Sequence, residues 1–314
     1  MKALLVILNK DNASGLRKCL ESAVNMDGFC KLFHILIMDG GSKDNSREVA
    51  EEFRKKYGCI TFSVQKVLGG TGYARNEACM YAIENGYDAI IWGDSENIYE
   101  KHYAKRLLKK LEHADVVGGV PVVRGSFYGH AFAWYHAIHL VFPGLYKIHI
   151  PGNNRGEKVE ICKSFKYPNT VRGEDYGLSL LLRERGIKLR QDVAHDAIVQ
   201  VSLPESIKDI IQWQNLRAKG AAQALKKVRA KPYDSLAWSI SLLLFPIFCL
   251  LSIFTIIPII IYTLLYFSAS LWVFLRSAKF IKERKDIYFF APFFGLLVHS
   301  YYSLKTLIYY LSSK

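Results

Sequence analysis

The chain has 314 residues and a formal net charge of +14, enough for one large domain or two modest ones. Its composition is sharply divided: residues 1–235 read as a soluble domain, and no charged residue occurs from Leu236 to Leu275, a run long enough to cross a membrane. Six cysteines show no Cys-x-x-Cys pair, which excludes the common zinc spacings and suits small buried hydrophobes in a reducing compartment.

The elements alternate along the first two thirds. Ala3–Leu8 is an apolar run of strand length, followed by Leu16, Cys19, Leu20 and Ala23 at helical spacing. Phe33–Met38 is a second strand, and Arg47 to Tyr57 a helix closed by Gly58. Ile60–Val67 is a third strand. The glycine loop Gly69-Gly70-Thr71-Gly72 then leads into a helix through Ala82. Ala89–Trp92, four apolar residues in a row, is a strand covered on both faces. A helix follows at 101–111, then a strand at Val116–Val123. Phe127–Lys166, rich in His, Phe and Tyr and broken by Pro and Gly, is expected to be irregular and to line a site. A helix at Asp175–Arg185 precedes two short strands, around Lys188–Val193 and Ile198–Ser202, with His195 on the loop between them. Pro204 to Val228 is a helix with one apolar side, suited to a membrane surface or to the catalytic domain. Strands alternating with helices argue for βαβ units and an α/β domain with a mainly parallel central sheet.

The apolar block 236–275 is long enough for two spans, with a reversal near Thr255–Pro258. Lys219, Lys226, Lys227, Arg229 and Lys231 precede it, and Arg276, Lys279, Lys282, Arg284 and Lys285 follow. Positive charge at both flanks favours anionic lipid over nucleic acid as the partner, and keeps the soluble domain cytoplasmic. Tyr288–Ser312 is a third span or an interfacial helix.

Four loops carry the chemistry. Asp39-Gly40-Gly41-Ser42 ends a strand, where Asp39 can accept hydrogen bonds from a base or ribose; a capped turn is the alternative. The glycine loop before Arg75 offers N–H groups to an anion, although it is neither a P-loop nor a Rossmann fingerprint. Asp94-Ser95-Glu96 places two carboxylates beyond a strand's carboxyl end, where a hard cation or a ligand binds in open α/β sheets; alone the pattern also fits a solvated turn. Glu174-Asp175 opens a helix, where capping is the alternative.

Together these loops resemble glycosyltransferase family 2, the nucleotide-sugar transferases of GT-A fold, from Ala3 to about Gly220. The family's Asp-Asp-Gly-Ser-x-Asp appears as Asp39–Asp44, its Gly-x-x-x-Ala-Arg-Asn as Gly70–Asn76, its Asp-x-Asp as Asp94-Ser95-Glu96, and its Glu-Asp as Glu174-Asp175. Its Gln-x-x-Arg-Trp appears as Gln214 to Arg217 without the Trp, and its opening Pro-Thr-Tyr-Asn-Glu is replaced by Leu8–Asn12.

The resemblance implies roles. Asn9, Asp39 and Arg75 hold the nucleotide of a nucleotide-sugar donor; Asp94 contacts the ribose or the metal; Glu96 binds Mg2+ or Mn2+. Glu174, Gln214 and Arg217 face the acceptor or the diphosphate. Asp175 is the general base, and a single base with in-line displacement implies inversion. His195 is a candidate third metal ligand, with a structural histidine as the alternative. His130, His136, His139 and His149 line the acceptor site or simply pack.

The expected organisation is a GT-A catalytic domain at 1–203, a basic juxtamembrane helix at 204–235, a transmembrane hairpin at 236–275, a basic cytoplasmic loop at 276–287 and a third transmembrane or interfacial helix at 288–312. The protein is then multi-pass in the cell membrane. The expected acceptor is membrane-lipid-linked, a polyprenyl phosphate or a lipid-linked saccharide. The rivals are a processive polysaccharide synthase subunit and a non-catalytic membrane scaffold with a degenerate nucleotide-sugar site.

Overall fold

The computed structural model describes residues 1–123, 128, 145–277 and 285–312. Four parallel strands make one half of an eight-stranded sheet: β1 (Ala3–Asn9), β2 (Phe33–Asp39), β3 (Ile60–Val64) and β4 (Ala89–Asp94), in the order β3-β2-β1-β4. Successive side chains of a strand point to opposite faces, and these strands fill both. Leu5, Ile7, Ile35, Ile37 and Ile91 meet α1 (Ala13–Val24), α2 (Ser46–Lys56) and α4 (Tyr103–Leu111). Leu4, Val6, Leu36, Met38, Ile90 and Trp92 meet α3 (Thr71–Glu84), α5 (Val159–Ser164) and α6 (Glu174–Glu184) on the other side. Burial on both faces is why these strands read as continuous apolar runs rather than alternating ones.

The other half of the sheet is mixed, which corrects the mainly parallel expectation. Beyond β4 the order continues β7 (Arg155–Lys158), β6 (Val116–Val123), β8 (Gln191–Val201) and β5 (Ile98–Tyr99). β7 runs antiparallel to both β4 and β6, and β5 antiparallel to β8. β7 lies in the stretch expected to be irregular. It is charged yet buried: Arg155 Nη2 donates to Glu157 Oε2 at 2.8 Å, and Tyr167 Oη donates to Glu157 Oε1 at 2.6 Å. Of that stretch, His130, His136 and His139 lie outside the described residues.

Two further expectations are corrected. β8 is one strand with a register shift against β6, so His195 sits within it and not on a loop. The cysteines are not all free: Cys30 is bonded to Cys59 and Cys79 to Cys162, leaving Cys19 and Cys249 as thiols.

α7 (Ile207–Val228) packs against the catalytic domain, burying Ile210, Gln214, Ala218, Ala221 and Ala222. α8 (Tyr233–Leu251) is the one helix among the described residues that is long and apolar enough to cross a membrane. α9 (Ile257–Ser277) has a shorter apolar stretch, Ile257–Trp272. α10 (Lys285–Ser312) lies against α7, where Tyr301 Oη donates to Asn215 Oδ1 at 2.9 Å. Leu296 and Val298 of α10 belong to the same buried cluster as Ile7 and Ile210.

Candidate active site

The carboxyl ends of three adjacent strands set the floor of the site. Asn9 of β1 stands opposite Asp39 of β2, and Leu8 opposite Asp94 of β4. Ligands of open α/β sheets bind beyond such ends. The recess at the other end of the sheet, lined by Asp88, Asp115, Lys158 and Arg190, has Asp115 paired with both basic residues.

Asp39 is buried and organises its loop. One carboxylate oxygen accepts from the N–H groups of Gly41 at 2.9 Å and Ser42 at 2.7 Å. The other accepts from Ser42 Oγ at 2.6 Å and Asn9 Nδ2 at 2.8 Å. Four bonds match the acceptor capacity of a carboxylate. Asn9 Oδ1, by contrast, is buried without a partner among the described residues, so Asn9 holds the unused acceptor here.

The glycines of the loop before Arg75 have a packing role. A Cβ at Gly70 would lie 2.5 Å from the Thr170 carbonyl oxygen, and one at Gly72 2.2 Å from that of Pro168. The glycines let residues 168–170 pack on the start of α3. Asn76 secures the same segment, donating to the Tyr167 carbonyl at 2.9 Å and accepting from its N–H at 2.9 Å. On the far side a Cβ at Gly220 of α7 would lie 1.9 Å from the Arg172 carbonyl oxygen. The segment is therefore clamped from both sides. It turns through Gly173, in the left-handed region at φ 76°, into Glu174 and Asp175.

Arg75 is buried beneath this loop. Its Nε donates to Glu174 Oε1 at 2.6 Å and its Nη2 to the Gly152 carbonyl at 3.1 Å. Its guanidinium lies 4.6 Å from the Trp92 ring and 5.6 Å from that of Tyr167. Thr71 Oγ1 also donates to Glu174. Arg75 Nη1 is buried and unpaired among the described residues.

The carboxylates feel one another. Burial, opposed by Arg75 and reinforced by Glu174, pushes the Asp94 carboxyl above its usual range. Crowding by protein atoms, then the Asp94 charge, pushes the Glu96 carboxyl up to about 7, although its outer part meets solvent; Arg172 opposes this. Asp175 goes the other way. Burial would raise it, but His149, Arg75, Arg155 and the Gly152 N–H together hold it at about 2. Its Oδ2 accepts from Gly152 N–H at 2.8 Å and its Oδ1 from its neighbour Tyr176 N–H at 2.8 Å.

Asn9, Asp39, Arg75, Asp94, Glu96, Glu174 and Asp175 thus belong to one region. Gln214 is fully buried on α7. Arg217 Nη1 lies 3.4 Å from Gln214 Oε1, and its guanidinium is 4.7 Å from the Trp213 ring and 5.4 Å from that of Tyr302. Arg217 borders the site through His149, whose charge is affected by Arg217 and Asp175 alike. His195 stands apart from the carboxylates. Ile98, two residues after Glu96, pairs with Gln200, and His195 lies five residues back along β8, up to ~16 Å at the rise of a strand. Sequence reasoning missed Arg172, and offered His149 only as one of four histidines that line the acceptor site or simply pack. Arg172, immediately before Gly173-Glu174-Asp175, was open to notice by position; His149 had no motif around it.

The molecule is a three-layer α/β sandwich with acidic loops and a buried arginine at the ends of its central strands. The Glycosyl transferase family 2 profile matches residues 4–166, and the chain belongs to that family; it is a glycosyltransferase. A Methanococcus voltae protein named dolichyl N-acetyl-alpha-D-glucosaminyl phosphate 3-beta-D-2,3-diacetamido-2,3-dideoxy-beta-D-glucuronosyltransferase is 26% identical, over 90% of this chain and 88% of its own. The mannosyltransferase PcManGT from Pyrobaculum calidifontis, solved with GDP-Man and Mn2+, superposes with a TM-score of 0.64 over 100% of this chain and 88% of its own, at 12% identity. S. aureus TarS 1-349 with UDP-GlcNAc gives a TM-score of 0.51 over 72% of this chain and 67% of its own, at 16% identity. The chain spans 39% of the longer TarS structure. These likenesses establish a GT-A-like fold.

Proposed function

We propose that this glycosyltransferase transfers a sugar, with inversion, from a nucleotide-sugar to a lipid-linked acceptor at the cytoplasmic face of a membrane. The observation that carries the reading is the convergence of Asn9, Asp39, Arg75, Asp94, Glu96, Glu174 and Asp175 at the ends of β1, β2 and β4. The unused Asn9 Oδ1 suits a base N–H, and the unused Arg75 Nη1 suits a phosphate oxygen. A base that engages Asp39 would replace one of its loop bonds.

Asp94 and Glu96 fit a divalent cation: two carboxyls in one recess, both pushed upward by crowding, are stabilised in their ionised form by a positive ion. They would hold Mg2+ or Mn2+, which when bound stabilises the charge on a departing nucleoside diphosphate. The chain's own residues bind and orient: Glu174 fixes Arg75, and the clamped 168–173 segment fixes Asp175. His195 has no such support as a ligand. The lipid-linked acceptor is supported by the apolar, largely exposed α8 and by the name of the Methanococcus voltae relative.

The test is sugar transfer to membrane lipid extract from a panel of nucleotide-sugars with Mn2+, read by mass spectrometry. Wild type should transfer one sugar and Glu96→Ala should lose at least tenfold. Full turnover by Glu96→Ala would overturn the metal assignment. Transfer to no lipid with any donor would overturn the function.

A further inference from the structure

His149 lies just before β7 and packs on α6 beside Asp175. Its Nδ1 is 2.9 Å from Ser179 Oγ. Ser179 has one hydroxyl hydrogen, and donates it to the Asp175 carbonyl oxygen at 3.1 Å. In the contact with His149, Ser179 Oγ is therefore the acceptor and Nδ1 carries the proton. A neutral imidazole protonated on Nδ1 bears its lone pair on Nε2. That atom has no hydrogen-bond partner among the described residues, and the residue is half-buried. The Tyr176 ring stands edge-on, 6.2 Å between centroids, and limits the tilt of the imidazole.

Asp175, by contrast, is a carboxylate already engaged by two N–H groups and by the charges of Arg75 and Arg155. Such a carboxylate is a weak base, since proton affinity and catalytic efficiency rise together.

We propose that His149 Nε2, with Asp175 as its charge partner, takes the proton from the acceptor hydroxyl. This rests on the glycosyltransferase reading and narrows the acceptor to a sugar hydroxyl of a lipid-linked saccharide, because an ionised lipid phosphate has no proton to give. The acceptor O–H bond breaks and its proton goes to Nε2. The oxygen bonds to the anomeric carbon, and the bond from that carbon to the donor phosphate breaks with its electron pair leaving on the nucleoside diphosphate. The imidazolium is held by the Asp175 carboxylate.

The groups facing the ring are Asp175, Tyr176 and Ser179 on α6, Arg155 on β7 and Arg217 on α7. Burial lowers the basicity of His149, and Arg155 and Arg217 add to this against Asp175, so the ring is neutral at pH 7. Activity should fall only as pH drops below about 6.5, the ordinary value for histidine.

The experiment compares kcat, donor KM and pH profile for wild type, His149→Gln and His149→Ala in detergent. His149→Gln can still donate to Ser179, so the fold is kept. We expect kcat lower by 10²-fold or more, donor KM within threefold, loss of the acid limb, and partial rescue of His149→Ala by added imidazole. A His149→Gln enzyme within threefold of wild type, or a variant that keeps the acid limb, would overturn the role of His149 while leaving glycosyl transfer intact. A wild type that transfers only to lipid phosphate would overturn it as well. A wild type that transfers no sugar would sink both readings.

Discussion

Arg75 joins two parts of the site, Glu174 at Nε and Gly152 at Nη2, and leaves Nη1 unpaired among the described residues. Removing one member of a buried pair costs about 3–5 kcal/mol, because the other charge is left without compensation. Arg75→Ala should lose about that much, read by urea unfolding in detergent. Arg75→Lys keeps a charge but not the planar fork between Trp92 and Tyr167. It should recover part of the stability and little of the nucleotide affinity, measured by titration calorimetry. Glu96 offers a second test with a definite sign. Its folded value of about 7 lies above the unfolded one, so between roughly pH 4.3 and 7 the native state holds more protons than the unfolded state. Stability of the metal-free protein should therefore fall with rising pH through that window relative to Glu96→Gln, seen as diverging melting temperatures. Mn2+ should reverse the trend, since protons and metal compete for the same carboxylates.

Elements whose cause is local were legible in the sequence. The apolar runs of β1, β2 and β4 and the glycine-closed helices needed only periodicity and capping to be found. β7 was not legible, because a strand of Arg155, Gly156, Glu157 and Lys158 looks like solvent-facing loop. Its burial depends on Tyr167, brought in from ten residues beyond Glu157. The glycine loop was located correctly, but its job depends on the Pro168–Thr170 carbonyls, which no local pattern predicts. Likewise the four site loops were readable by order, while the approach of His149 to the start of α6 is purely tertiary. The clamp yields a prediction of its own. Gly72→Ala and Gly220→Ala push a Cβ onto backbone oxygen, which cannot swing aside, and should each cost about 1–3 kcal/mol. Transfer rate should drop further than stability alone explains, because Asp175 follows the segment. Gly58→Ala meets nothing within 4 Å and should change stability by less than about 0.5 kcal/mol.

At the scale of the whole molecule, the hydrophobic C-terminal part is joined to the catalytic part through its interior. Leu296 and Val298 of α10 share a buried cluster with β1, and α10 also holds α7, whose Gly220 presses on the segment before Asp175. A fragment ending at residue 232 should therefore be less soluble and markedly less active than the full chain with matched substrate, as measured by gel filtration and turnover. The full chain should stay with the membrane fraction in high salt and leave it with detergent. α10 is also the last described helix, 285–312, and the chain is made from its other end. At ~5–20 residues per second, the ribosome reaches α10 on the order of ten seconds after completing the Asp175 loop. During that interval α7 has no α10 to rest on, and the loop it braces is unfinished. A nascent chain should therefore gain transfer activity only after α10 has been made and has packed on α7, which makes the last helix the step that switches the enzyme on.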